Sequence, residues 1–330
     1  PDVEIMEMGI EYLSTVMIFS FGLFTQFFFE RLLTSTGRTI FSMTSQLTGA
    51  VTNIILDPIL IFGLFGAPQM GVTGAAVATV IGQCVAGIVA ATCNHKYNYD
   101  VKLSFKGFKP DLKIIGTIYA VGVPSIIMQS IGSIMTYCMN RILIEFSSTA
   151  TAVFGVYFKL QSFFFMPVFG LNNGITPIIA YNYGAKHRKR MINTIKLSMA
   201  VAFCLTFIGF VAFEAIPQVL LGMFNSSQQL LEIGIPALRI IGIHFLIAWF
   251  CIVAGTVFQA LGKAVFSMIV SIMRQLFVLV PVAYILAKVG GLHAVWWSFP
   301  IAEVISLAVS LTFLIRIYNT IIKKLPEGRA

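Results

Sequence analysis

Apolar stretches long enough to cross a membrane recur along the chain, separated by short polar connections. A helix needs about 20 predominantly apolar residues to cross the roughly 30 Å hydrocarbon core of a bilayer. Nine stretches reach that length and predict membrane-spanning helices. They cover residues 9–33, 39–64, 71–92, 113–138, 150–174, 192–213, 234–260, 264–287 and 292–317. The pattern predicts an all-α fold, a polytopic membrane helical bundle.

The composition excludes an ordinary soluble domain. Of the 330 residues, 58% are hydrophobic and 11% are charged. Soluble domains are typically about 45–50% apolar and about 25% charged. Segments of about ten residues with alternating hydrophobicity, which are typical of outer-membrane barrels, are absent from the sequence. The lipid bilayer is therefore the predicted surrounding of most of the chain.

The basic residues predict how the bundle is oriented. Given the nine spans, most of the 22 Lys and Arg residues fall on one side, with the richest stretches at residues 96–113 and 186–196. Because loops rich in Lys and Arg stay in the cytoplasm, we expect a multi-pass protein of the cytoplasmic membrane with a cytoplasmic C-terminus. The net charge of +9 is spread over several such stretches. The positive charge is thus explained by the cytoplasmic location of these stretches, and no nucleic-acid partner is expected.

The same orientation predicts that the sequence is a fragment of a longer chain. Nine spans and a cytoplasmic C-terminus place residue 1 outside, and this residue is Pro rather than Met. No basic segment precedes the first span, as a signal peptide would require. We therefore expect an odd number of further spans upstream.

An internal repeat relates the two ends of the chain. Gly37–Met43 (GRTIFSM) matches Gly262–Met268 (GKAVFSM) at a constant offset of 225, which also sets residue 9 against residue 234. After a shorter loop, Gly71 aligns with Gly291. The first three spans therefore match the last three in the same orientation, as in transporters built from parallel repeats.

The repeat divides the chain into predicted domains. Residues 1–92 form a partial N-terminal lobe of three spans, residues 93–112 a cytoplasmic linker between lobes, and residues 113–330 a C-terminal lobe of six spans with a basic tail. Two equal lobes require three more spans in the first. The expected parent is a two-lobed, pseudo-symmetric bundle of twelve helices, of which nine are present.

Several motifs resemble the multidrug and toxic compound extrusion (MATE) family, in its bacterial branch. They are Asn53–Gly63 (NIILDPILIFG), Gly71–Thr79 (GVTGAAVAT), Pro177–Lys186 (PIIAYNYGAK), Phe258–Lys263 (FQALGK) and Arg274-Gln275. The resemblance covers nearly the whole chain, from the family's fourth helix onward. It implies two six-helix lobes facing each other across a cleft. It also implies export of mostly cationic, amphipathic compounds, driven by inward movement of Na⁺ or H⁺.

Asp57 is the strongest candidate for binding the coupling cation. It lies in an apolar span one helical turn after Asn53, so the two side chains share a face. A carboxylate and an amide oxygen suit a hard cation such as Na⁺, and a buried carboxylate is also able to carry a proton. The repeat places Val278 and Val282 opposite them, so the helix itself does not require the polar pair. The resemblance places the cation in the first lobe, and Thr79 is a further candidate ligand. The alternative is a structural role, with Asp57 capping a helix end or pairing with a neighbour.

The second lobe holds further polar residues at membrane depth. Arg274 and Glu303 fall near the middle of consecutive antiparallel spans and are expected to pair, either structurally or as part of a transport site. Lys159, Gln161 and His244 are additional candidates for the substrate cleft. A single His on an apolar helix is also compatible with simple packing.

Three functions are compatible with these features. The first is secondary active multidrug efflux of small amphipathic cations, by a monomer that needs no cofactor other than Na⁺ or H⁺ as the coupling ion. The second is a flippase for lipid-linked precursors from the same wider superfamily, which a cationic cleft would favour. The third is a membrane-embedded enzyme, which is disfavoured because the sequence shows no clustered catalytic groups.

The five Cys and four His residues show no spacing typical of a disulfide framework or a metal site.

Overall fold

The computed structural model describes residues 3–101, 103–104, 109–224 and 227–326, and every regular element in these ranges is helical. The chain forms two compact units, Pro1–Lys109 and Pro110–Ala330. The helices of the first unit are α1 (Val3–Ile18), α2 (Phe21–Ser35), α3 (Thr39–Phe62) and α4 (Gly71–Tyr97). Those of the second are α5 (Leu112–Ile144), α6 (Ser148–Gly184), α7 (Arg188–Ala215), α8 (Pro217–Gly222), α9 (Gln228–Gly242), α10 (Phe245–Ala260), α11 (Ala264–Ile272), α12 (Val280–Val295) and α13 (Ser298–Thr320).

The helices confirm the predicted polytopic bundle. Within the described ranges, seven helical segments are long and apolar enough to span a membrane, and two bent pairs raise the number to nine if each pair is one span. Several helices extend past the predicted limits; α6, for example, exceeds the predicted span 150–174 at both ends. Its start is fixed by Ser147, whose hydroxyl accepts a hydrogen bond from the Ala150 N–H.

The predicted linker over 93–112 begins inside a helix. α4 continues to Tyr97, and His95 and Lys96 lie in its last turn, where cations interact favourably with the helix dipole. Residues 102 and 105–108 of the predicted linker lie outside the described residues. The proposed division into lobes at this linker stays a prediction.

Two of the spans are sharply bent, which the hydropathy pattern did not indicate. α1 and α2 meet at 51°, and α9 and α10 meet at 52°. At each bend the backbone switches to i→i−3 hydrogen bonds, from the Ser20 N–H to the Met17 carbonyl and from the His244 N–H to the Ile241 carbonyl. The offset of 225 that relates Gly37 to Gly262 sets residue 19 against residue 244, so the bends occupy equivalent positions of the repeat.

Glycines in the left-handed region also recur in the repeat. Gly37 and Gly262, which follow the bent spans, have φ angles of 78° and 71°. Gly71 and Gly291 have φ angles of 54° and 67°. Residues with a side chain rarely adopt such angles. The aligned glycines therefore allow the same left-handed backbone conformation in both copies.

In the first unit, α3 and α4 approach each other through small residues. A Cβ atom on Gly49 would lie 2.7 Å from the Ala86 Cβ and 2.9 Å from the Gly82 carbonyl oxygen, so only glycine fits without movement. The buried face of α4 continues with Ala78 and Ala90. Small residues allow membrane helices to pack backbone against backbone. This contact fixes the distance between polar side chains on the two helices.

The second unit packs around aromatic side chains. Phe154, Tyr157, Phe213, Phe245 and Phe299 belong to one buried cluster drawn from α6, α7, α10 and α13. A separate cluster near the other end of these helices includes Ile179, Met191 and Phe258. Side chains from several helices therefore form the core of the second unit.

The helix that joins α11 to α12 is a π-helix over Met273–Leu279. Its last turn is closed by a hydrogen bond from the Val280 N–H to the Gln275 carbonyl, five residues earlier. Pro281 follows directly and has no N–H to donate to the carbonyl of the residue four positions before it. The wider turn accommodates this missing donor. Segments of π-helix occur frequently at functional sites.

Candidate functional site

Asn53, Asp57 and Thr79 come together in the first unit. The Asn53 amide nitrogen lies 3.2 Å from the Asp57 Oδ1 and 3.4 Å from the Thr79 Oγ1. The Thr79 hydroxyl donates its own proton to the Ala75 carbonyl, so its lone pairs face the amide. All three side chains are half-buried. A carboxylate, an amide and a hydroxyl therefore surround one point between α3 and α4.

Close helix packing positions this group. A Cβ atom on Gly82 would lie 3.2 Å from the Asn53 Cβ, so the backbone of α4 directly adjoins the Asn53 side chain. Thr79 lies one turn before Gly82 on the same helix. The sequence predicted that Asn53 and Asp57 share a face, and their hydrogen bond confirms it. The role of the three residues as a cation site stays a prediction.

A cavity of about 190 Å³ lies within the second unit. Its polar lining includes four residues that the sequence singled out, Gln161, His244, Arg274 and Glu303. The sequence analysis missed Tyr157, which also lines it, because a tyrosine in an apolar span carries no distinct signal. Its spacing of four residues from Gln161 would have placed both on one face of α6.

The predicted pair of Arg274 and Glu303 is present. The Arg274 Nη1 lies 3.4 Å from the Glu303 Oε2. The Glu303 side chain is 4% exposed, whereas that of Arg274 is 29% exposed. The geometry confirms their proximity, and the arginine is the more accessible partner.

His244 lies at the bend between α9 and α10 and contacts the cavity with its other ring edge. Its Nδ1 is hydrogen-bonded to the Ile241 carbonyl, which can only accept, so Nδ1 carries the proton. Its Nε2 lies 3.4 Å from the Gln161 amide nitrogen and acts as the acceptor there. The histidine thus stabilises the bend and at the same time orients Gln161 in the cavity.

Lys159 does not line this cavity. Its side chain is exposed, and its Nζ lies 5.9 Å from the centre of the Phe224 ring. Side chains two positions apart on a helix point about 160° apart, because each residue rotates the direction by about 100°. Lys159 therefore faces away from the side of α6 that carries Tyr157 and Gln161. Hydropathy placed it at membrane depth without revealing its face.

A buried carboxylate in the first unit escaped the sequence analysis. The Glu30 Oε1 accepts hydrogen bonds from the Gln26 amide at 2.8 Å and from the Ser45 hydroxyl at 2.9 Å. The Glu30 Oε2 accepts one from the Gln46 amide at 3.0 Å. These neutral donors tie α2 to α3. An acidic residue within a predicted span was itself the available signal, but its position near the end of that span concealed it.

The fold and the two polar sites define a class of protein. Repeated halves of membrane-spanning helices, with ionisable side chains at membrane depth, are typical of secondary transporters. Comparison with known proteins gives the family. The MatE family model matches residues 124–285. The chain belongs to the MATE family.

Similar proteins are named as multidrug exporters. The multidrug export protein MepA of Staphylococcus haemolyticus (strain JCSC1435) is 31% identical over 316 residues, which are 94% of this chain and 66% of that protein. MepA of Staphylococcus aureus (strain NCTC 8325 / PS 47) is 28% identical over 319 residues, covering 95% of this chain and 68% of the relative. The chain thus spans about two thirds of the length of these relatives.

Solved structures share the fold. The MATE multidrug transporter DinF-BH, solved in complex with a ligand, matches with a TM-score of 0.81 and 33% identity over 95% of this chain and 70% of its own. An outward-facing MATE transporter of the MOP superfamily matches with a TM-score of 0.87 at 24% identity, over 96% of this chain and 70% of its own. At that identity the second likeness concerns the fold alone.

Proposed function

We propose that the full-length protein acts as a monomer in the cytoplasmic membrane and exports amphipathic compounds by antiport with Na⁺ or H⁺. The coupling cation binds at Asn53, Asp57 and Thr79. The observation that supports this most directly is the convergence of these three side chains on one point between α3 and α4. A charged carboxylate at membrane depth costs free energy, so such residues are found mainly where they are paired or serve a function.

The donor set fits a single positive charge. One carboxylate neutralises one Na⁺, and the Thr79 lone pairs already face the site. A Ca²⁺ ion, by contrast, takes about six to eight oxygen ligands. The Asn53 amide nitrogen points at the other two side chains, so Na⁺ binding requires the amide to turn its oxygen inward. A proton on Asp57 requires no such rotation, because the protonated acid keeps a carbonyl oxygen that accepts the Asn53 N–H.

Antiport requires that the two ligands oppose each other's binding. By linkage, a cation that lowers the affinity for substrate has its own affinity lowered by substrate to the same degree. The contact between α3 and α4 gives a physical basis for this opposition. A shift of one helix against the other changes the distance between Asn53 and Thr79, and with it the affinity for the cation.

The proposed substrates follow from the relatives. MepA is named for multidrug export, and DinF-BH is described as a multidrug transporter in complex with a ligand. We extend export of small amphipathic, mostly cationic compounds to this protein. Aromatic side chains such as Phe158 and Phe165, which line the cavity of the second unit, suit such ligands.

Counterflow of a fluorescent cationic dye in proteoliposomes tests this proposal. The full-length protein is reconstituted, and either a Na⁺ gradient or a pH gradient is applied while the other is held at zero. We expect one gradient to drive dye movement and the other to have little effect. Equal dye movement with and without either gradient would overturn antiport.

A further inference from the structure

The cavity of the second unit presents a cationic side chain to its interior. Arg274 and Glu303 both line it, but Arg274 is 29% exposed and Glu303 only 4%. The carboxylate lies behind the guanidinium and neutralises it from the buried side. A ligand that enters the cavity therefore meets the arginine first.

Most of the hydrogen-bonding capacity of Arg274 is unused. A guanidinium carries five N–H donors. Within the described part of the chain, the only acceptor for Arg274 is the Glu303 Oε2 at 3.4 Å. That distance exceeds the usual N–H···O range of about 2.7–3.2 Å. The remaining donors require water or a ligand with acceptor oxygens.

The other lining residues suit the body of an aromatic acid. Phe158, Phe165, Phe169 and Phe299 form apolar walls, and Gln161 and Gln275 add neutral polar groups. The volume of about 190 Å³ is sufficient for a ring, since an engineered protein cavity of about 150 Å³ binds benzene. A planar carboxylate is the group that a guanidinium binds with two parallel hydrogen bonds.

The repeat shows that the fold does not require this arginine. The offset of 225 sets Arg274 against Gly49, where α3 and α4 pack backbone against backbone. In the second unit the same position carries a costly charge and lies in the π-helix over Met273–Leu279. The charge, the cavity and the unusual helix thus coincide in one copy of the repeat.

We propose that this cavity binds the carboxylate of an amphipathic aromatic acid or zwitterion, with Arg274 as the carboxylate-binding residue. Glu303 orients the guanidinium and competes with the ligand for it. This inference rests on the proposed export function and deepens it by adding carboxylate-bearing compounds to its substrates. It assigns the anion site to the second unit, apart from the cation site on α3 and α4.

Equilibrium dialysis with 2-naphthoate and its methyl ester tests the site directly. The full-length protein is placed in nanodiscs of zwitterionic lipid at fixed pH and Na⁺, with no gradient. We expect the acid to bind at least about tenfold more tightly than the ester, because hydrogen bonds to charged groups are worth at least that factor. Equal binding of acid and ester, or binding of neither, would overturn the proposal.

Two variants separate recognition from stability. The pair Arg274→Gln with Glu303→Gln removes both charges together, so neither is left buried alone, and it should lose the preference for the acid while keeping ester binding. Glu303→Gln alone should strengthen acid binding, because the competing carboxylate is gone. Weaker acid binding in Glu303→Gln would contradict the assignment even if the double variant does not fold.

Lys288→Gln is the matched control. It removes one positive charge from an exposed position on α12, where Lys288 lies over the Tyr284 ring and outside the cavity lining. Acid binding should not change, and a loss equal to that of the double variant would show a general charge effect and overturn the site. The assay measures binding without a gradient, so a protein that does not couple export to an ion gradient can still bind the acid in it. Absence of acid binding, in turn, does not contradict antiport.

Discussion

Asp57 is the residue whose removal should separate transport from folding. Its equivalent in the repeat is Val282, so the helix accepts an apolar residue at that position. In Asp57→Asn the shape is kept and the charge is lost. We expect normal membrane levels of the full-length variant, retained substrate binding and nearly abolished gradient-driven export, measured by dye efflux from cells.

Asp100→Asn is the control for this prediction. Asp100 also belongs to the first unit, but it is exposed and pairs with Arg38 at 2.8 Å. An exposed ion pair typically contributes about 0–1 kcal/mol, so this variant should export like the wild type. Wild-type export by Asp57→Asn would falsify the cation site and direct the search for coupling to another acidic group.

At the scale of single residues, the sequence predicted which polar side chains pair with each other better than it predicted which side of a helix each one faces. The pairs Asn53–Asp57 and Arg274–Glu303 follow from helical spacing and depth, because charged and polar groups in a membrane require partners. The exposure of Lys159 on α6, away from the cavity of the second unit, does not follow from hydropathy, which has no direction around the helix. The donors to Glu30 come from two helices, so their convergence depends on packing that a linear pattern does not contain.

At the scale of helices, the close contact of α3 with α4 predicts a strong effect from a single methyl group. In Gly49→Ala the new Cβ meets the Ala86 Cβ and the Gly82 carbonyl at under 3.0 Å. Overpacking of this kind typically costs about 1–3 kcal/mol. We expect a lower Tm in a thermal unfolding assay and weaker cation coupling, because the helices must separate near Asn53.

Gly9→Ala provides the comparison on α1. A Cβ atom on Gly9 meets nothing within 4 Å, and alanine is favoured over glycine within a helix by roughly 0.5–1 kcal/mol. This variant should be as stable as the wild type or slightly more so. Equal Tm values for Gly49→Ala and the wild type would show that α3 and α4 do not need the close contact.

The number of membrane spans in the described part of the chain was accessible from the sequence, if each bent pair counts as one span, whereas the shape of the spans was not. Hydropathy averages over a whole span, so it predicted the spans of the bundle but not the bends of 51° and 52° or the π-helix. Ser20 and His244 give no composition signal at the bends, because each is one residue in an apolar run. Pro281 was an available signal of an irregular helix that the sequence analysis did not use, and a proline does not indicate which hydrogen-bonding pattern replaces the missing donor.

At the scale of the whole molecule, the distribution of basic residues predicts sidedness. We propose that the segment around Lys189 is cytoplasmic and that Lys288 is outside. In a background without the native cysteines, Lys288→Cys should react with an impermeant thiol reagent in intact cells, and Lys189→Cys only after permeabilisation. The reverse pattern would invert the topology and place the C-terminus outside.

The two matched bends bear on the ancestry of the protein. They occupy the same position in both copies of the repeat, together with the left-handed glycines at 37 and 262. A feature inherited by both copies was present before one ancestral half was duplicated. The Asn53–Asp57 pair and Arg274 each occur in one copy only, so these positions changed after the duplication. The bent scaffold is therefore older than the difference between the two copies at these positions.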